Sequence, residues 1–199
     1  MMTTKDILAW HFLPKDGRTR FPHGKRRFNV RPGLTLHAKG LLVLCENGMH
    51  ASRRAISALC YAPGPIVCRV RLSGEAIDDN NKICARSRTV LWMADATATL
   101  HEFACRCAEA ALRAAAVKDG RCWAAIQAKR NWLAGRISDA ELGAARDAAW
   151  DAAWAAAWAA ARDAARAAAR SAACGAARDA QNRRLTAMLS ALKPKDAPA

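Results

Sequence analysis

Three polar side chains near the start of the chain have the types that chemistry uses. They are His11, inside the apolar run ILAWHFL, His50, opening the run His50-Ala51-Ser52-Arg53-Arg54, and Tyr61. Imidazoles titrate close to neutral pH and move protons, and a phenol can donate, accept or stack. His11, His50 and Tyr61 are therefore the candidate catalytic residues, with Glu75 the carboxylate that could serve beside them. His50 and Ser52 equally suit structural roles, as a turn residue and a helix N-cap. No serine elbow, P-loop or GxGxxG occurs, and no cofactor is expected.

A second set of residues suits phosphate. Between residues 15 and 31, Lys15, Arg18, Arg20, Lys25, Arg26, Arg27 and Arg31 alternate with Phe21 and Phe28. Cations that grip a backbone and rings that stack a base are the equipment of single-strand binding. The alternative is a solvated basic hairpin with two core phenylalanines. Arg162, Arg166 and Arg170 could likewise form a phosphate-contacting helix face. Asp163 near Arg166 and Trp158 near Arg162 make a solubilising face the simpler account. His101, Cys105 and Cys107 are zinc-ligand types, but Cys107 lies about 200° around a helix from Cys105. The three do not converge, and no metal site is expected.

The composition favours an anionic partner. The 199 residues carry 32 Lys and Arg against 17 Asp and Glu, a formal +15. Both halves are basic, with 16 cations and 7 acids up to residue 100 and 16 and 10 beyond it. Nucleic acid or an acidic protein fits such a balance. No stretch reaches the roughly 18 apolar residues of a membrane span, and the N-terminus has no signal-peptide pattern. The expectation is a cytoplasmic protein whose eight cysteines are reduced and mostly buried as small hydrophobes.

Strands precede helices along the chain. The run at 7–13 predicts a first strand, 41–45 (LLVLC) a short buried one, and IVCRVRL, closed by Gly74 and the DDNN run, a half-buried one. Residues 83–93 predict another. Ser52 is expected to cap a helix running to about Tyr61. From Asp95 the spacing of Leu100, Phe103, Cys107 and Leu112 is helical, and a further helix around Trp123, Ile126, Arg130 and Leu133 follows Asp119-Gly120. Ser138 and Glu141 form a capping box for the next. The order predicts an α+β fold, a small mostly antiparallel sheet with helices, followed by an alanine-rich helical hairpin or long helix. The expected division is an α+β domain over 1–117, helical region over 118–192 and a disordered tail over 193–199.

Residues 144–179 are nine alanine-rich tetrads, from AARD to AARD. A four-residue repeat advances about 40° per tetrad around a helix, so Trp150, Trp154 and Trp158 share an arc of roughly 80°. These tryptophans are expected to pack on the first domain, a neighbouring helix or a second copy of the chain in a homo-oligomer. A continuous helix over 143–174 would span about 48 Å, and Gly175 is the expected break. A tolerated low-complexity spacer is the alternative.

Two resemblances add to this reading. Cys45, Gly48, His50, Ala51 and Ser52, then Ala58, Leu59 and Tyr61, then Val70, Leu72 and Gly74, with the opening AWHFL, resemble an uncharacterised family of phage and prophage proteins. The resemblance covers roughly residues 7–115 and implies an accessory protein acting in a bacterial host. It implies no activity. A histidine on an early strand with a later tyrosine and glutamate resembles some ADP-ribosyltransferases, which implies a nicotinamide dinucleotide as ligand. The leading expectation is a phage-type accessory binding protein without catalysis, its basic surface engaging nucleic acid or an acidic host protein. A nucleotide-using enzyme centred on His11, His50 and Tyr61, and a helical homo-oligomerisation module, are the alternatives.

Overall fold

The computed structural model of the chain describes residues 6–19, 27–160 and 170–197, with side chains described except at 152–160 and 170–174. The fold is α+β, an N-terminal antiparallel five-strand sheet followed by several helices that include a C-terminal one. The chain divides into two compact units, 1–97 with 182–199, and 98–181.

The first unit is organised by one long strand. β1 (Ile7–Leu13), β2 (Thr35–His37), β3 (Met49–Ala51), β4 (Ile66–Asp79) and β5 (Lys82–Asp95) pair antiparallel throughout. One edge of β5 carries β4, and β1 extends the sheet beyond it. The other edge is shared, with β3 against Ile83–Ala85 and β2 against Ser87–Thr89. The residue after β3 then bonds back to β1: Trp10 N donates to Ser52 O at 2.7 Å and Ser52 N to Trp10 O at 2.9 Å. The curled sheet thus meets itself at one bridge, which brings residues about 50 and about 11 side by side.

The apolar pattern follows the strand period. Ala9, Leu13, Ala51, Cys68, Val70, Leu72, Ile83, Ala85 and Val90 form one buried cluster. Side chains alternate along a strand, so His11 shares the face of Ala9 and Leu13, and Arg88 that of Val90. Two polar groups therefore sit on the apolar face of the sheet. Trp10 and Trp92 meet edge to face at 5.8 Å, and the Arg69 guanidinium lies 4.7 Å over the Trp10 ring.

Three local expectations are corrected here. Residues 41–45 are a closed turn rather than a strand. Val43 and Asn47 bridge each other, and the Asn47 amide donates to Lys39 O and Leu41 O, so the backbone groups a strand would offer are used locally. Ser52 caps no helix; it lies buried in its bridge to Trp10, and α1 (Ala55–Cys60) starts after Arg54 with no cap from that residue's own side chain. Gly74 does not end β4. With φ +78 it sits in an irregularity of the β4–β5 register between Ser73 and Ala76, and both strands run on to the Asn80-Asn81 turn.

The C-terminal residues complete this unit. Asn182 accepts from the first-turn amide of Ile56 at 3.2 Å, a cap supplied from a distant part of the sequence. Leu185 and Leu189, one turn apart, are fully buried, each a stabilisation of about 1.5–3 kcal/mol.

The second unit is helical. It holds α2 (Thr97–Ala114) from Ala98 onward, α3 (Gly120–Leu133), α4 (Asp139–Ala160) and α5 (Arg170–Ser190) as far as Gln181. Asp119 caps α3 by accepting from Arg121 N. The capping box opens α4 as its sequence requires: Ser138 N donates to Glu141 Oε2 at 2.8 Å, and Glu141 N donates to Ser138 Oγ at 3.3 Å. Arg130 on α3 bridges Glu102 and Glu109 on α2, its Nε donating to Glu102 at 3.0 Å. This pairing holds both carboxyls below and the guanidinium above their ordinary ranges, through the hydrogen bonds first. The expected break at Gly175 is not there: Gly175 lies inside α5. A glycine costs a helix about 1 kcal/mol relative to alanine, which its alanine neighbours absorb.

Candidate anion-binding cleft

Beside the bridge where the sheet meets itself, the first unit opens a cleft of about 500 Å³. Its lining includes His11, Phe12, Leu36, His50, Tyr61 and Arg88. An adjoining lobe of about 300 Å³ shares His11, Phe12, Cys45, His50 and Tyr61 and adds Lys82. All three candidate catalytic residues thus line one site, brought together from β1, β3 and the end of α1. Glu75 is absent from that lining; it pairs with Arg86 at 2.6 Å.

The decisive side chain is Arg88, on β5. It is 7% exposed, and its Nη1 donates to the His50 carbonyl at 2.7 Å and to His11 Nδ1 at 3.3 Å. Its Nε is buried without a partner among the described residues. Burial pushes the guanidinium down to about 10, which still leaves it charged at neutral pH. No carboxylate of the described residues pairs with it. The neighbouring Cys68 thiol is raised to about 12 by its own burial, so it stays neutral and offers no counter-charge.

The hydrogen bonds fix both imidazoles. A guanidinium has donors only, so His11 Nδ1 accepts and its proton sits on Nε2. Burial first, then the charge of Arg88, holds His11 well below its ordinary value of 6.5. His50 Nε2 accepts from the Cys45 amide at 3.0 Å, while a backbone hydrogen bond to Gly48 engages the ring as well. Burial lowers His50 too, more than that bond raises it. Both rings are neutral at pH 7, and neither has a free basic nitrogen for taking a proton from a substrate.

Two glycines make this geometry possible. Gly48 has φ +148, and a Cβ there would stand 2.1 Å from Cys84 Sγ. A Cβ at Gly64 would stand 2.7 Å from Pro14 Cα, where the turn after α1 crosses the end of β1. Opposite, Tyr61 is 53% exposed, its ring 5.4 Å from Lys82 Nζ and its hydroxyl 3.4 Å from Asn81 Oδ1. Glu46, exposed, is the one carboxylate among the described lining residues.

The remaining nominated residues lie elsewhere. Arg18 donates to Asn29 at 2.9 Å, Arg27 pairs with Asp16 at 2.8 Å and donates to Thr19 O, and Arg31 is exposed. Arg20, Lys25 and Arg26 lie outside the described residues, as do Arg162 and Arg166 and the side chains of Arg170, Trp154 and Trp158. Trp150 is 71% exposed on α4. In the second unit His101 packs edge-on against Trp132 at 6.0 Å, and Cys105 is buried. Among the described residues no helix is long and apolar enough to cross a membrane.

Sequence reasoning passed over Arg88. Its signal was present, since Arg88-Thr89-Val90-Leu91-Trp92 puts a cation two residues before Val90, on the apolar face of a strand. No protein-family model, curated protein or solved structure matches the chain.

Proposed function

We propose that this chain is a non-catalytic binding protein whose cleft takes a nucleotide phosphate, free or at the end of a nucleic acid strand. The observation that carries the reading is the buried, charged Arg88 without a carboxylate partner among the described residues. Taking an ion out of water costs several kcal/mol unless it is paired, and its neighbours here are a carbonyl and two neutral imidazoles. A bound phosphate supplies the missing negative charge, with His11 Nε2–H a neutral donor beside it. A volume of about 500 Å³ and the half-exposed ring of Tyr61 suit a planar base attached to that phosphate. The lack of a free imidazole nitrogen favours binding over proton transfer. The phage-family resemblance over roughly residues 7–115 suggests the setting, an accessory protein in a bacterial host.

The test is a titration of the full chain with a fluorescent nucleoside diphosphate, displaced by ADP, by adenosine and by a 5′-phosphorylated single-stranded oligonucleotide. The reading expects displacement by ADP and not by adenosine, and the oligonucleotide decides between free and terminal phosphate. Equal displacement by adenosine and ADP refutes it.

A second reading, a transferase consuming a nicotinamide dinucleotide, draws on one observation: His11, His50 and Tyr61 share a cleft. Turnover of that dinucleotide by wild type but not by a Tyr61→Ala variant would favour it.

A further inference from the structure

At the lip of the cleft a cysteine and a lysine meet. Lys82 Nζ lies 2.6 Å from Cys45 Sγ. An ammonium has no acceptor, so the sulfur accepts. We propose that Cys45 is the chain's site of covalent modification by anionic disulfides, with Lys82 as its positioning residue.

The backbone prepares this sulfur. Cys45 has φ +69, an uncommon conformation for a residue other than glycine, inside the turn closed by Val43 and Asn47. Its amide is tied to His50 Nε2, and its side chain is exposed. The other described cysteines differ. Cys68, Cys84 and Cys105 are buried, Cys107 and Cys122 are half-buried, and exposed Cys60 uses its thiol as a donor to Ile56 O at 3.3 Å. The charged and titratable groups around the pair are Asp79 and Tyr61 beside Lys82, and His50, Cys84 and the adjacent Glu46 around Cys45. Lys82 is held above its ordinary range, chiefly by the bond to Cys45. Arg88 points to the charge of the reagent, since it lines the cleft that Cys45 also lines and its buried Nε has no partner among the described residues.

The step is thiol–disulfide exchange. Cys45 Sγ attacks one sulfur of the reagent, the new S–S bond forms as the old one breaks, and the second half leaves as a thiolate with the electron pair. Cys45 is oxidised and the leaving half reduced, with no further oxidant needed. The inference uses the cleft described above but a different ligand, and its test does not depend on nucleotide binding.

The experiment treats the full chain with less than one equivalent of 5,5′-dithiobis(2-nitrobenzoate), a dianionic disulfide, and with neutral 4,4′-dithiodipyridine. Peptide mass spectrometry then locates the adduct. Cys45 is expected to react first, about tenfold or more ahead of Cys60, and Cys45→Ser to remove that fast phase. Lys82→Met should slow the dianion at pH 7 by about tenfold, while Lys82→Arg restores the rate. Arg88→Met should lower the ratio of dianion to neutral rates. Reaction of Cys60 first, a dianion rate unchanged by Lys82→Met in a chain with native circular dichroism, or an unchanged ratio in Arg88→Met overturns the proposal.

Discussion

Replacing Arg88 by methionine separates what this cation does for the fold from what it does for a ligand. The substitution keeps an unbranched side chain of similar reach and removes the charge. The fold loses the hydrogen bond to the His50 carbonyl, which a charged donor makes worth about 1.5–3 kcal/mol, and the weaker one to His11. It also escapes the desolvation of a guanidinium that is 7% exposed, a cost of several kcal/mol. The two roughly offset, so unfolding stability should stay within about 2 kcal/mol of wild type. Binding has no such compensation. Losing one charge-assisted contact to phosphate costs about 1.5–3 kcal/mol, or roughly 10- to 150-fold in Kd. Urea unfolding and the displacement titration read the two effects on the same protein. A folded Arg88→Met chain that binds ADP as tightly as wild type would refute the reasoning, as would a loss of stability well beyond that range.

Three further outcomes follow from the geometry. The folded chain holds His11 well below 6.5, so the unfolded chain takes up a proton that the folded one refuses. Its stabilisation is complete above about pH 6.5 and declines below it by up to about 1.4 kcal/mol per pH unit, with a smaller addition from half-buried His50. Urea midpoints should therefore fall from pH 7.5 to 5.5 and fall less in His11→Gln; an equal fall contradicts the burial argument. Gly48→Ala should destabilise by about 2–4 kcal/mol, because its Cβ meets Cys84 Sγ at 2.1 Å, and a Gly48→Ala chain with wild-type melting would show that the turn relaxes freely. Ser138→Ala should lower stability by about 1 kcal/mol through loss of the capping box, read in the same melts; no change would mean that the start of α4 frays in the native chain.

What the sequence made legible was what local patterns encode. The apolar run at 7–13, the alternation after Ile66 and the helical spacing from Leu100 each correspond to an element, and Asp119 and Ser138 mark helix starts through side chains two or three residues from the amides they satisfy. The failures were long-range. LLVLC has strand composition, but Asn47 closes it into a turn, and Ser52 has cap chemistry but is claimed by Trp10, some forty residues earlier. The cap on α1 comes from Asn182, which no window around residue 55 contains. The cleft followed the same rule. His11, His50 and Tyr61 could be nominated one at a time as reactive types, yet their meeting depends on the sheet curling until β1 reaches Ser52. Arg88 went unnoticed because a cation on a strand reads as an exposed position until both neighbouring strands are in place.

The most direct test of the central claim is to watch the histidine rings while phosphate arrives. Imidazole ¹⁵N and ¹³C signals of His11 and His50 can be assigned with His11→Gln and His50→Gln variants and followed through a titration with ADP at pH 7. Binding in the Arg88 cleft predicts saturating shifts at both rings with His11 still neutral and protonated on Nε2. Adenosine should produce no saturation, and Arg88→Met should need at least about tenfold more ADP. Ring signals that stay fixed while ADP binds elsewhere on the chain would contradict the account.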